Sequence, residues 1–335
     1  MTVLHAEEFT LRGDACDGGL ALSFKRYTPP LIKRNHHNSI ALLLAHCVST
    51  HKETWEPTLS HLFDLQLAAQ RDDFNDSSVW ISEAWVVDAP NHGQAAVLNA
   101  TALLAMPEGI SGYCWARAVG KLLTSGLILA KQIIGIGHSA GSAIMILSTS
   151  TYPLDALPYS SMILVEPGMM TREIFAEAFK EPVLLKEVMD ATKTRKDIWP
   201  SRTAALEWFK KREPWRRWDP AVLQLLTQYA LRDLPTKTYP DRKNGVTLTY
   251  AFDSLDRLSE LCSTIPVHTI FGSRHDLIAK ETHEGIVDPK QGRKMASIST
   301  VPDSGHLVAQ ENPAGLALAL WRILNQPQQP NRSRL

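Results

Sequence analysis

The chain has no Cys-x-x-Cys pair: its four cysteines, Cys16, Cys47, Cys114 and Cys262, lie far apart among 335 residues. That spacing excludes a disulfide framework and a zinc knuckle, and leaves reduced core thiols as the expectation. Long apolar runs are also missing. Residues 40–45 and 133–136 are strand-sized, well short of the roughly 18 residues a membrane helix needs, so no stable membrane insertion is expected. Charge of one sign is not in excess either, since 35 basic residues face 35 acidic ones, and the balance gives no reason to invoke nucleic acid or a membrane surface. The first ten residues carry Glu7 and Glu8 and lack the apolar centre of a signal peptide, which points to a soluble intracellular protein. No His-Glu-x-x-His or similar ligand spacing occurs, so neither a metal nor a redox cofactor is called for. Internal repeats are absent, and the length suits one α/β domain with a sizeable insertion.

What the chain does have is a strand, a tight turn and a helix in one run. Ile133-Ile134-Gly135-Ile136 is a β-branched approach of the kind buried parallel strands use, Gly137-His138-Ser139-Ala140-Gly141 fits G-x-S-x-G, and residues 143–147 continue as an apolar helix. Such a turn exposes a serine hydroxyl at its apex, where a neighbouring base can activate an otherwise weak nucleophile. Gly137 and Gly141 give the close approach of strand and helix that the turn needs. Ser139 is therefore the candidate nucleophile. Elsewhere, 9–12, 20–27, 39–45, 84–88, 161–165, 266–271 and 295–301 read as strands, separated by a Gly13-Asp14 turn, a polar loop at His36-His37-Asn38 and helices at 57–69, 112–129 and 310–324. Strand and helix alternate, so the expected fold is α/β with a mostly parallel central sheet covered on both faces.

A serine of this kind needs a histidine and an acid further along. His306, in Ser304-Gly305-His306, falls between the last expected strand and the closing helix, and a near-neutral pKa lets an imidazole take the serine proton and return it. Two carboxylates compete to orient it. Asp276 follows the strand ending at Phe271, the commonest position for the acid in such a layout, and Glu166 follows the strand 161–165 directly. A carboxylate at the end of a buried strand is costly without a partner, which favours Glu166, with Asp276 as the alternative. An oxyanion hole requires two backbone N–H groups. Ala140, next to the nucleophile, is one candidate, and Val48, in the loop after 39–45, is the other. Cys47 stands there where a glycine is usual, which is acceptable only if that backbone avoids positive φ. Asn91, His92 and His138 read as braces of the loops around the turn.

Taken together, His46-x-Val48-x-x-x-Lys52-Glu53-x-Trp55-Glu56-Pro57, Asp88-x-x-Asn91-His92-Gly93-Gln94, the Gly-His-Ser turn and Leu231-Arg232-Asp233-Leu234-Pro235-Thr236 resemble the fungal peroxisomal α/β-hydrolases of secondary metabolism. The resemblance, which runs over most of the chain, implies the α/β-hydrolase fold, acyl-CoA hydrolase activity and an acid after the strand that follows the nucleophile helix, here Glu166. Serine at position 139, rather than aspartate, argues against dehalogenase or epoxide hydrolase chemistry.

Residues 167–261 change character, with helical stretches at 171–192, 202–212 and 220–232, and they read as a helical lid inserted between core segments 1–166 and 262–325. The insertion holds Trp199, Trp208, Trp215 and Trp218, which either line an apolar pocket or pack the lid, and a basic cluster of Lys193, Arg195, Lys196, Lys210, Lys211, Arg212, Arg216 and Arg217, which either meets coenzyme A phosphates or forms a solvated face. Residues 326–335 form a polar tail whose Ser333, Arg334 and Leu335 resemble the Ser-Lys-Leu peroxisomal address, implying a peroxisomal import receptor as partner and the peroxisome matrix as location. The expected function is a serine hydrolase of an acyl thioester, with a carboxylesterase or lipase, an acyltransferase or cyclase, and a non-catalytic ligand binder as alternatives.

Overall fold

A computed structural model describes residues 3–30, 39–71, 79–106, 109–178, 196–233 and 249–326. The loop at 36–38, the second half of the stretch 171–192, Lys193, Arg195, the end of the 231–236 motif and the tail tripeptide lie outside the described residues. Eight strands form one sheet in the order β1-β2-β4-β3-β5-β6-β7-β8. They are β1 His5–Arg12, β2 Ala21–Thr28, β3 Ser39–Ala45, β4 Trp80–Val87, β5 Gln132–His138, β6 Ser161–Val165, β7 Val267–Gly272 and β8 Ser297–Val301. β1 and β2, and β2 and β4, pair antiparallel; every other neighbouring pair is parallel. The α/β-hydrolase architecture expected from the sequence is the one observed.

Alternation along the buried strands assigns each residue to a face. On β3, Leu43 points into a cluster with Trp85, Val119, Ile144 and Leu164, while Leu42 and Leu44 point into one with Trp55, Leu59, Phe63 and Leu320. On β6, Met162 and Leu164 join the first cluster and Ile163 and Val165 the second. Each fully buried aliphatic side chain of this kind contributes about 1.5–3 kcal/mol. Helices α1 (Glu56–Arg71), α2 (Gly112–Leu123) and α3 (Ala140–Leu147) cover the sheet from its two sides.

Several boundaries differ from the sequence expectation: β1 and β4 each begin four residues earlier than expected, and three further differences have a local reason. The helix expected over 112–129 stops at Leu123, where Ser125 and Gly126, at φ +75°, turn the chain. The closing helix is two, α9 (Val308–Glu311) and α10 (Pro313–Leu324), because Asn312 caps the Gly315 N–H and Pro313 starts a new first turn. The insertion also ends earlier than expected. After α4 (Arg172–Ala178), α5 (Arg202–Phe209) and α6 (Pro220–Leu225), helix α7 (Thr249–Leu261) buries Leu255, Leu258 and Leu261 in the same core as Ile144 and Met145 of α3, so by packing it belongs to the layer that covers the sheet. Helix α8 (Lys280–Ile286) follows β7.

The remaining inserted segment has a core of its own. Ala205, Phe209, Trp218, Val222 and Leu226 are buried together, with Trp199, Trp208, Trp215 and Leu307 packed against them. The rings of Trp199, Trp208, Phe209 and Trp215 touch one another at centroid distances of 4.9–5.6 Å, so these tryptophans pack the insertion. Leu307, the neighbour of His306, packs on that core, and the Asp219 N–H donates to the Gln310 carbonyl at 2.8 Å.

Candidate active site

Parallel register brings the chemistry to one edge. His138 of β5 lies level with Val165 of β6, Val165 with Ile270 of β7, and Gly272 with Val301 of β8. The residues that follow these strands, Ser139, Glu166, Asp276 and His306, therefore leave the sheet from its carboxyl ends as neighbours.

The turn at Ser139 is held in a conformation that L-residues avoid, φ +55° and ψ −122°, at a cost on the order of 1–3 kcal/mol. Its surroundings fix it there. The Ser139 N–H donates to the Val165 carbonyl at 2.9 Å, the Ser142 N–H to the Ser139 carbonyl at 2.9 Å, and the Ser142 hydroxyl to the Gly137 carbonyl at 2.7 Å. A methyl group at Gly141 would lie 2.4 Å from the Ala45 carbonyl oxygen, and one at Gly137 equally close to Gly141 and Ser142, so α3 can meet β3 only with glycine at 141 and β5 only with glycine at 137.

Ser139 Oγ is 2.9 Å from His306 Nε2, and His306 Nδ1 is 3.1 Å from Glu166 Oε2. For Nε2 to accept the serine proton, Nδ1 carries hydrogen and donates to the carboxylate. All three side chains are buried or nearly so. Burial pulls the His306 pKa below its ordinary value, a change that the Glu166 hydrogen bond opposes and His138 reinforces, and the ring is thus held as a neutral base. Burial works to raise the carboxyl of Glu166, but hydrogen bonds from His283, His306 and the Gly272 N–H outweigh it and bring its pKa down to about 2. Glu166 too has positive φ, +44°, which turns its side chain back under the imidazole.

Asp276 meets the same histidine differently. Its Oδ1 accepts the main-chain N–H of His306 at 3.0 Å and that of Leu277 at 2.8 Å, so it grips the loop and not the ring. A Cβ at Gly305 would come within 1.9 Å of Asp276 Oδ2, and glycine there is what admits the carboxylate. Arg274 bridges the side chains of Asp276, at 3.6 Å, and Glu311, at 2.6 Å. Of the sequence candidates, the structure brings Ser139, His306 and Glu166 into one hydrogen-bonded chain and sets Asp276 against the backbone behind it.

The backbone that leads into the loop carrying Val48, at Ala45 and His46, packs against Gly141 at the start of α3, and Val48 itself is half-exposed. Among its residues Ser49, at φ +62°, adopts the left-handed conformation; Cys47 does not, which accounts for a side chain where glycine is usual. A buried polar network braces this loop. Lys52 Nζ pairs with Asp88 Oδ2 at 2.9 Å, the Lys52 and Gln94 N–H groups donate to the same carboxylate, and Glu53 takes His51 at 3.0 Å. His46 Nε2 accepts the Ala89 N–H at 3.1 Å, leaving Nδ1–H to donate to the Cys47 carbonyl at 2.6 Å, and burial drives its pKa well down. His92 Nε2 accepts the Ser49 N–H at 3.1 Å, and His138 Nε2–H donates to the His306 carbonyl at 2.8 Å.

Two functional positions escaped the sequence reading. A Cβ on Gly168 would sit 3.0 Å from Ser139 Oγ and 3.1 Å from the Ala140 nitrogen, so this glycine keeps clear the space where a reacting group would meet nucleophile and amide. The Glu166-Pro167-Gly168 run was the available signal. His283, which donates to Glu166 Oε2 at 3.1 Å, gave none, being one histidine in a helix far from any motif. A cleft of about 330 Å³ opens beside it, lined in part by Phe271, His275 and Thr300; another, of about 410 Å³, lies between α1 and α10, away from the serine. Among the described residues no group of three or more His, Cys, Asp or Glu side chains is placed to hold a metal, and no helix is long and apolar enough to cross a membrane.

A serine on a strained strand-to-helix turn, with its histidine after the last strand of a mostly parallel sheet, defines a class, and the comparison with known families agrees: the chain belongs to the α/β hydrolase family, whose model matches residues 42–319. Within it, the chain is 26% identical over 298 residues to the type I acyl-CoA thioesterase mpaH′ of Penicillium brevicompactum and 27% identical over 296 residues to mpaH of Penicillium roqueforti. Each alignment covers 87% of this chain and 61% of the relative, so the chain spans about three-fifths of the length of these curated relatives. Among solved structures, the peroxisomal α/β-hydrolase Lpx1 of Saccharomyces cerevisiae matches with a TM-score of 0.75 at 17% identity, over 99% of this chain and 93% of that one. The thioesterase domain of the curacin biosynthetic pathway matches with a TM-score of 0.61 at 17% identity, over 96% and 99% of the two chains. At these identities the structural likeness is one of fold.

Proposed function

We propose that the protein is a serine hydrolase of acyl thioesters, an acyl-CoA hydrolase. The observation that carries this is the continuous chain from Ser139 Oγ through His306 to Glu166, with hydrogen bonds of 2.9 and 3.1 Å. Ser139 attacks the acyl carbonyl as His306 takes its proton; Glu166 holds the imidazole in the required tautomer and offsets the charge it acquires. The Ala140 and Val48 N–H groups receive the oxyanion, His306 returns the proton to the leaving thiolate, and water releases the acyl group by the same steps in reverse. Neither a metal nor a cofactor enters this scheme. The thioester preference rests on the relatives named acyl-CoA thioesterases. In this reading the inserted segment between β6 and α7 acts as a lid, and the exposed Lys210, Lys211, Arg212, Arg216 and Arg217 upon it suit the phosphates of coenzyme A.

Labelling by a fluorophosphonate at Ser139, lost in Ser139→Ala, separates an enzyme from a ligand binder. Turnover of an acyl-CoA panel against matched esters then tests the substrate class, and faster hydrolysis of the esters would make the protein a carboxylesterase. A peroxisomal location rests on Ser333-Arg334-Leu335. A fluorescent protein fused ahead of the chain should enter peroxisomes only when that tripeptide is present, and a cytosolic signal in both cases would reject the assignment.

A further inference from the structure

We propose that His283 is a positioning residue that acts through Glu166 to set the basicity of His306. The inference rests on the reading of Ser139, His306 and Glu166 as the acyl-transfer set.

The geometry is of one carboxylate oxygen shared by two imidazoles. Glu166 Oε2 accepts from His306 Nδ1 and from His283 Nε2, each at 3.1 Å, and Oε1 accepts the Gly272 N–H at 2.6 Å. Every strong acceptor direction of the carboxylate nearest the two rings is thereby used, and the side chain, fully buried, has one orientation. His283 is itself held firmly: its ring stacks on Phe271 at 4.3 Å with 26° between planes, and α8 fixes its backbone.

A packing role alone does not account for a histidine here. Among the described residues the second ring nitrogen, Nδ1, is buried with no hydrogen-bond partner, an arrangement that costs free energy and that an apolar side chain of similar shape would avoid. What the histidine supplies in exchange is a rigid N–H aimed at Oε2. That donor draws part of the carboxylate charge away from the His306 bond. With it present, His306 is a weaker base, easily deprotonated at neutral pH; without it, Glu166 directs its charge at His306 alone and favours the imidazolium.

The other titratable groups that face the pair are few. His138, from the end of β5, donates to the His306 carbonyl, and Asp276 grips the His306 main chain. The His275 ring lies 5.2 Å from that of His283, and Lys280 and Glu284, on the solvent side of α8, pair with each other at 3.2 Å. Among the described residues none of these groups bonds to Glu166 Oε2, the oxygen that His306 and His283 share.

The test is the titration of His306 in the full chain, read from its ring NMR signals in the wild type, His283→Phe and His283→Gln. Phenylalanine keeps the stack on Phe271 and removes the donor; glutamine keeps an N–H. His283→Leu is a second donor-free variant should the phenylalanine one not fold. A hydrogen bond of ordinary strength predicts a rise of about half to one unit in the His306 pKa for the donor-free variants, with recovery in His283→Gln. The acid limb of kcat/KM should move up by the same amount, with kcat at neutral pH falling by no more than about threefold, the loss recovered on the alkaline side, and KM unchanged. Titration curves that superimpose on the wild type, or that move equally in all variants, would overturn the proposal. Because the NMR reading needs no turnover, it stands even if no acyl substrate is hydrolysed, and the failure of labelling at Ser139 would count only against the proposed function.

Discussion

The loops after β6 and β7 each bring a carboxylate to His306 and each depend on a glycine, yet they do different work. After β6, Glu166 reaches the imidazole ring and Gly168 leaves room beside Ser139 and the Ala140 amide. After β7, Asp276 reaches only the His306 main chain, through a gap that Gly305 keeps open. What decides the role is the direction of departure. Glu166 comes straight off a buried strand at positive φ and stays under the ring, whereas three residues of loop, Ser273, Arg274 and His275, carry Asp276 to the far side of the histidine backbone. A carboxylate at the commonest position for the acid is thus left to hold a loop.

The contrast is broken most directly by removing each carboxylate. Glu166→Ala should lower kcat by about 10³–10⁴-fold, the range expected when a serine–histidine pair loses its orienting acid, with Ser139 still present and the fold intact by circular dichroism. Near-normal turnover in that variant would transfer the role to Asp276. Next in size is Gly168→Val. A branched side chain placed 3.0 Å from Ser139 Oγ and 3.1 Å from the Ala140 nitrogen intrudes on the oxyanion, and a loss of about 10²–10³-fold in kcat is expected, the size associated with one donor of an oxyanion hole. Gly168→Ala should fall between that variant and the wild type.

A third outcome concerns stability. The folded-state pKa of Glu166, about 2, lies below its ordinary 4.5, so the stabilisation is present in full above pH 4.5 and is lost as pH falls through the folded value. The gap corresponds to about 3 kcal/mol, withdrawn between roughly pH 4.5 and pH 2. Urea unfolding across that window should show a steeper loss in the wild type than in Glu166→Gln, which has no such group to protonate. Parallel curves would mean that Glu166 is not held by the hydrogen bonds described.

Much of this was legible in the chain. Ser139 and His306 could be found because the chemistry needs fixed residue types at fixed points of the topology, and the glycines at 137 and 141 are written in the motif itself. The sheet was legible because its central strands are short and apolar with helices between them. Glu166 against Asp276 stayed open because both follow strands, and which one faces a ring depends on loop geometry that spacing does not encode. Residues 249–261, which form α7, fall inside the insertion as the sequence reads, with no helix expected there, because a sequence does not show which surface such a segment covers. His283 left no local signal at all, since its relation to Glu166 spans 117 positions of chain and arises only when α8 packs beside β6 and β7.

The smallest expected effect is the sharpest check on the loop after β7. In Asp276→Ala the His306 N–H loses its acceptor, and an amide left without a partner in a part-buried loop costs about 1–3 kcal/mol. Asparagine retains a carbonyl oxygen at the same place, so Asp276→Asn should keep most of that contact and unfold close to the wild-type temperature. Since neither substitution touches the ring, kcat should fall by no more than about tenfold in the alanine variant and less in the asparagine one. The two variants thus separate a hydrogen-bond acceptor from a charge. If Asp276→Asn were as damaging to turnover as Glu166→Ala, the negative charge of Asp276 would be acting on the imidazole through space, and the division of labour between the two loops would fail. If thermal unfolding moves in Asp276→Ala while turnover hardly changes, the loop after β7 is a brace and the loop after β6 carries the chemistry.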